Sequence, residues 1–252
     1  MTADNIQEKY GARKASEAIN NGPVIFSMSV EGLDATGKSR FGLATCPTPI
    51  VHVNYGDRDP TPLLYDLSEA RRDKVTLYDF QAAGASGWTR EEGRASLVGL
   101  AEIAKNHLSD GQMKGGTFIL DSGSTWWSVV QEVYVAPEQE KRDADGGKRR
   151  GGLEYTQANL IVSGVLNWIK NQGAFLIITH TKAQEWDKNG PIPGKFRAQL
   201  NNRVPYIVEV RIDLTKECSQ CGAPDCMGHV GRRHFGQFIK FGRDTQLEGM
   251  RF

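Results

Sequence analysis

Short apolar runs alternate along the chain with stretches in which apolar residues return every three or four positions, the pattern of buried parallel strands joined by amphipathic helices. Pro23 to Val30 reads as the first buried strand and Ser39 to Ala44 as the opening turns of a helix. After the punctuation of Pro47 and Pro49, Ile50 to Asn54 reads as a second strand, residues 62–72 as helical, and Val75 to Phe80 as a short strand before a Gly- and Ala-rich loop at 81–88. Thr89-Arg90-Glu91-Glu92 is a capping box, and Leu97, Leu100, Ala101, Ala104 and Leu108 follow at helical spacing. Thr117 to Asp121 is an apolar strand ending in a carboxylate, Leu153 to Asn171 returns to helix, and Ala174 to His180 reads as a buried strand with a polar end. Tyr206 to Leu214 and Phe235 to Phe241 alternate as an antiparallel pair at the end of the sheet. The expected organisation is a polar arm or surface helix at 1–22 and one α/β core at 23–252 with a mainly parallel central sheet.

Composition narrows this only slightly. The 252 residues, 39% hydrophobic and 24% charged, are ordinary for a globular chain with one principal core. A formal net charge of +1 excludes a surface coated in basic charge, so nucleic-acid binding would have to come from local patches. No apolar run approaches the roughly 18 residues of a membrane span, and the polar start Met1-Thr2-Ala3-Asp4-Asn5 lacks a signal-peptide core. The expectation is a cytoplasmic protein with no membrane partner.

The first strand runs into Gly32-Leu33-Asp34-Ala35-Thr36-Gly37-Lys38-Ser39, which satisfies the P-loop pattern G-x-x-x-x-G-K-S/T. Glycines let backbone N–H groups turn toward phosphate oxygens, Lys38 supplies a point charge to the outer phosphates, and the Ser39 hydroxyl ligates Mg²⁺. Gly32, Asp34, Ala35, Thr36 and Gly37, with Lys38, Ser39 and Arg40 at the start of the helix, form the expected cradle, with the positive helix end facing the phosphates. Asp121, at the end of its strand, is expected to hold the same Mg²⁺ beside Ser39.

Three of the four cysteines fall in one nine-residue window. Cys218, Cys221, Cys226 and His229 form a C-x2-C-x4-C-x2-H arrangement, two paired hooks suited to a structural Zn²⁺ in a hairpin insertion at 215–234, with His234 as an alternative fourth ligand. Cys46 reads as a small buried hydrophobe. Glu138 to Gly152 is the most polar stretch and reads as a long loop whose Lys148, Arg149 and Arg150 could track a phosphate backbone. Residues 181–203 read as a second long loop, in which Lys182, Lys188, Lys195, Arg197 and Arg203 interleave with Trp186 and Phe196. That mixture suits single-stranded nucleic acid, although a lid or a subunit contact would use similar residues.

The order of elements, the P-loop, Asp121, the strand ending Thr179-His180 and the late run Phe238-Ile239-Lys240-Phe241-Gly242-Arg243 together resemble the RecA-like P-loop ATPases, in particular the small phage-encoded members used in single-strand annealing and recombination. The resemblance spans residues 23 to 252. It implies an ATP- and Mg²⁺-dependent ATPase that forms a homo-oligomeric ring or filament, binds single-stranded DNA and, if phage-encoded, works in the host cytoplasm. It implies His180 as a γ-phosphate sensor, and Lys240 and Arg243 as residues reaching the nucleotide of a neighbouring subunit. Ser122 follows Asp121 where many ATPases carry an acidic base, so the resemblance moves the water-positioning carboxylate to Asp57, with Asp59 behind it. Glu31-Gly32-Leu33-Asp34 also resembles the lead-in of thymidylate-kinase-like nucleotide kinases, which makes a nucleotide kinase one alternative. A scaffold that binds ATP with slow or no turnover is the other.

Overall fold

In a computed structural model, residues 26–56, 58–84, 87–144, 146, 153–187, 190–221, 232–241 and 248–252 are described. An eight-stranded sheet carries the fold, in the order β3-β2-β4-β5-β1-β7-β8, with β6 paired to β5 off this path. The strands are β1 Ser27–Gly32, β2 Ile50–Asn54, β3 Val75–Asp79, β4 Thr117–Asp121, β5 Phe175–Asp187, β6 Gly190–Ala198, β7 Val210–Cys218 and β8 Arg232–Phe241. Every pairing from β3 across to β7 is parallel, and β7–β8 and β5–β6 are antiparallel.

Helices cover both faces of the central strands β4 and β5, which is why residues 118–120 and 175–178 read as unbroken apolar runs. On one face α1, Lys38–Thr45, packs Leu43 against Met28, Val30, Ile50, Ile119, Ile177 and Ile212. Two four-residue helices, α2 Thr61–Leu64 and α3 Glu69–Arg72, flank it where one longer helix is expected. Against the other face lie α4 Arg90–Leu108, α5 Gly123–Tyr134 and α7 Thr156–Lys170, around Val51, Val53, Phe118, Leu120, Leu176 and Ile178. The Thr89 capping box forms as expected, with the Thr89 hydroxyl accepting from the Glu92 N–H and Glu92 accepting from the Thr89 N–H. The buried stripe of α7 is Ala158, Val162, Leu166 and Ile169, which leaves Leu160 exposed and Trp168 at the rim.

Three expectations change. Helix α6, Ala136–Ala144, occupies much of the polar stretch taken as a loop. The supposed loop 181–203 is mostly a two-stranded ribbon, since β5 runs on to Asp187 and turns back as β6. Pro191 and Pro193, which argue against a strand, are tolerated because β6 is an edge and their missing N–H groups forfeit little pairing. Tyr206 and Ile207 belong to the one-turn helix α8, Val204–Ile207, so β7 starts only at Val210.

Gly123 begins α5 directly behind the end of β4. A Cβ there would lie 2.4 Å from Ile178 Cγ2, 2.8 Å from His180 Cε1 and 3.0 Å from the Thr179 carbonyl. Helix and sheet therefore approach at a distance that only glycine permits. Gly123→Ala should lower the unfolding free energy by about 1–3 kcal/mol, read as a reduced denaturation midpoint at unchanged slope.

Candidate nucleotide-binding site

Parallel strands present their C-terminal ends together, and here β1 and β4 end on either side of the point where β5 leaves its parallel pairing, near Thr181. Between the end of β1 and α1 the P-loop turns back on itself, with Ala35 at φ 57° and Gly37 at φ 89°, both left-handed. A Cβ on Gly32 would meet Thr36 Oγ1 at 2.4 Å and the Leu214 carbonyl at 2.6 Å, so the first motif glycine is needed for packing against β7 as well as for the turn. Thr36 is buried and its hydroxyl donates to the Leu33 carbonyl at 2.8 Å, closing the loop. Lys38 Nζ donates to the Gly32 and Leu33 carbonyls at 3.1 and 2.8 Å. Burial lowers the Lys38 pKa and Arg58 adds to that, while Asp34 and Asp121 oppose it.

The loop forms one wall of a cavity of about 470 Å³ lined in part by Lys38, Ser39, Arg58, Asp59, Asp121 and Thr181. Asp121 is nearly buried, which by itself raises a carboxyl pKa. His52, Ser39 and Thr179 nonetheless hold it below the usual carboxylate range. His52 Nε2 lies 3.2 Å from Asp121 Oδ2, and because a carboxylate only accepts, that nitrogen carries the proton. The Thr179 hydroxyl donates to Oδ1. The Asp121–Ser122 peptide is cis. Ser39 and Asp121 thus converge as an oxygen pair suited to a hard divalent cation beside a phosphate cradle.

Beyond β2, Asn54 orders the turn that forms the opposite wall. Its side chain accepts from the Gly56 N–H at 2.9 Å and donates to the Arg58 carbonyl at 3.0 Å and to Asp79 at 2.7 Å. Asp59 reaches the cavity, with its carboxylate accepting from the Thr61 N–H at 2.8 Å. Thr61 holds its carboxyl below the usual range, so it stays an anion that can orient water rather than keep a proton. Asp57 lies outside the described residues.

The structure does not bring His180 to the cavity. Side chains alternate along a strand, so Thr179 and Thr181 face Asp121 and the P-loop while His180 points to the other face, beside Gly123. It is buried, and among the described residues neither ring nitrogen has a partner at ordinary hydrogen-bond geometry, although the Gln199 backbone lies near enough to act on its charge. Burial pushes its pKa down to about 3, with the Gln199 backbone opposing and Arg211 and Lys38 adding to the fall. Thr181 is the residue of β5 that lines the cavity. Lys240 Nζ is engaged within the chain, donating to the carbonyls of Pro205 and Val208 at 2.7 and 2.8 Å, so it would have to leave both to reach another subunit. Arg243, Cys226 and His229 lie outside the described residues. Cys218, buried at the end of β7, and Cys221, exposed in the turn after it, are described, and no metal-ligating cluster occurs among the described residues. His234, the alternative ligand, contacts the P-loop backbone instead.

Sequence reasoning missed Asn54, Arg58, His52, Thr179 and Thr181. Polar residues inside otherwise apolar strands were the available signal for His52 and Thr179, since a buried polar side chain needs a partner.

No protein-family model matches the chain, and no curated protein does. Among solved structures the chain is similar to the crystal structure of a KaiC-like protein from the hyperthermophilic archaeon Pyrococcus horikoshii OT3. The two are 13% identical at a TM-score of 0.46, with 90% of this chain and 83% of that one covered. Similarity at that level says nothing about what this chain binds or does. No helix among the described residues is long and apolar enough to cross a membrane.

The buried histidine makes a testable pH dependence. Its folded pKa lies below the unfolded one, so its contribution is fully present above about pH 6.5 and is lost as pH falls toward about 3. In that window the unfolded chain binds a proton that the folded chain does not, worth about 1.4 kcal/mol per pH unit. His180→Leu should flatten the acid limb of a stability-versus-pH curve between about pH 6 and 4 by that amount, while leaving nucleotide affinity at neutral pH unchanged.

Proposed function

We propose that the chain is an ATP- and Mg²⁺-dependent ATPase of the RecA-like kind that assembles with copies of itself and binds single-stranded DNA. The observation that carries the reading is the convergence of the P-loop, Ser39, Asp121 and Thr181 on one cavity at the C-terminal ends of β1 and β4, beside the middle of β5. In that cavity Lys38 would move from its carbonyls to the β- and γ-phosphates, and the N–H groups of residues 35–39 would cradle them. Ser39 and Asp121 would hold Mg²⁺, which neutralises charge on the transferring phosphoryl group. Thr181, a hydroxyl donor on β5 opposite Gly32, where that strand leaves its pairing with β1, would take the sensing role in place of His180. Asp57 or Asp59 would orient the attacking water.

Support for single-stranded DNA comes from the β5–β6 ribbon. Trp186 is 71% and Phe196 40% exposed, with Lys195 and Arg197 exposed beside them. Bases of any sequence stack on such rings, and the cations meet the phosphates. Arg243 would act on the nucleotide of a neighbouring subunit, and Cys218, Cys221, Cys226 and His229, from the end of β7 and the chain between β7 and β8, would bind a structural zinc.

One experiment separates the readings: ATP turnover measured with Mg²⁺, with and without single-stranded DNA, and with thymidylate as a trial acceptor. The proposal predicts hydrolysis that DNA stimulates and that Lys38→Ala abolishes. Phosphoryl transfer to thymidylate would instead identify a kinase, and tight ATP binding without turnover a scaffold. Trp186→Ala combined with Phe196→Ala should weaken DNA binding by about 1–3 kcal/mol per lost stack, with ATP affinity unchanged.

A further inference from the structure

The β7–β8 hairpin does more than finish the sheet. The last partner of β1 on β7 is Leu214, opposite Gly32, yet β7 continues to Cys218 with β8 still paired to it. Thr215 to Cys218, and Arg232 to Phe235 across from them, therefore project past the end of β1, over the P-loop. Lys216 pairs with His234 there, and His234 Nδ1 lies 2.9 Å from the Thr36 carbonyl oxygen.

A carbonyl oxygen only accepts, so Nδ1 carries the proton. In a trans peptide the carbonyl of one residue and the N–H of the next point in opposite directions. Holding the Thr36 carbonyl outward, toward the hairpin, therefore turns the Gly37 N–H inward, toward the place where phosphates bind. Gly37 has φ 89°, and a Cβ on it would lie 3.4 Å from the same imidazole nitrogen. The hydroxyl of Thr36 is committed to Leu33, so it cannot perform this task itself.

We propose that His234 is a positioning residue of the phosphate cradle: by donating from Nδ1 to the Thr36 carbonyl it sets the Thr36–Gly37 peptide so that Gly37 N–H faces the phosphates. The inference rests on the reading of the P-loop cavity as a nucleotide site. It makes the hairpin that carries Cys218 and Cys221 a strut against the P-loop, so displacement of the hairpin is felt at the phosphates. The bond acts on the cradle common to di- and triphosphates, so its loss weakens both alike, unlike loss of a γ-phosphate sensor.

The test is calorimetric titration of Mg·ADP and Mg·ATP into the full chain and its His234→Ala and His234→Asn variants. The amide nitrogen of asparagine sits where Nδ1 does and can donate the same bond. The expected result is an about three- to tenfold loss of affinity in His234→Ala, equal for the two nucleotides, and recovery to within about twofold of the parent in His234→Asn. An unchanged His234→Ala, a loss confined to ATP, or a His234→Asn as weak as His234→Ala each overturns the proposal while leaving the nucleotide site intact. A parent chain that binds neither nucleotide overturns the reading of the site and the proposal with it.

Discussion

A carboxylate buried at the end of a central strand must find hydrogen-bond donors or give up its charge. Asp121 finds them on two neighbouring strands, the His52 ring from β2 and the Thr179 hydroxyl from β5, with Ser39 of α1 near enough to lower its pKa further. Those donors reach it only if β2, β4 and β5 lie in parallel register, with Asn54 opposite Asp121 on one side and β5 on the other. The same register sets β5 against β1, which brings the P-loop lysine to the same cavity. The charge that suits the site to a divalent cation is also the charge that requires the order of the strands.

Around this centre the chain divides into a packed part and a projecting part. The parallel strands are covered by helices on both faces, and the cradle follows the end of β1 among them. Both antiparallel pairs extend beyond that packing, one presenting aromatic and basic side chains, the other leaning a histidine on the P-loop. The ribbons are continuations of strands that flank the cradle, β5 on one side of β1 and β7 on the other.

Much of this was legible in the chain itself. The strand, glycine turn and helix around Lys38, the strand ending at Asp121 and the capping box at Thr89 each follow from local rules that tertiary packing does not overturn. The choice between His180 and Thr181 was not legible, because it depends on strand parity: a single step along β5 carries a side chain to the other face of the sheet. The β5–β6 ribbon was hidden because its side chains are mostly exposed, so no alternation of apolar and polar residues marks it, and its prolines are legal only at an edge. Tyr206 and Ile207 read as the start of a strand from the run that follows them, whereas Pro205 in a first helical turn favours the helix that holds them. The role of Asn54 follows from the fold of the turn after β2, which brings it within reach of Gly56, Arg58 and Asp79.

The central claim is that nucleotide phosphates and Mg²⁺ are held between Lys38, Ser39 and Asp121. The most direct measurement is ATP affinity with and without Mg²⁺ for the parent, Lys38→Ala and Asp121→Asn. The account predicts binding in the parent that Mg²⁺ strengthens, loss of binding in Lys38→Ala, and retained binding without the Mg²⁺ enhancement in Asp121→Asn. Equal affinities in all three, or a Mg²⁺ effect undiminished by Asp121→Asn, would contradict it.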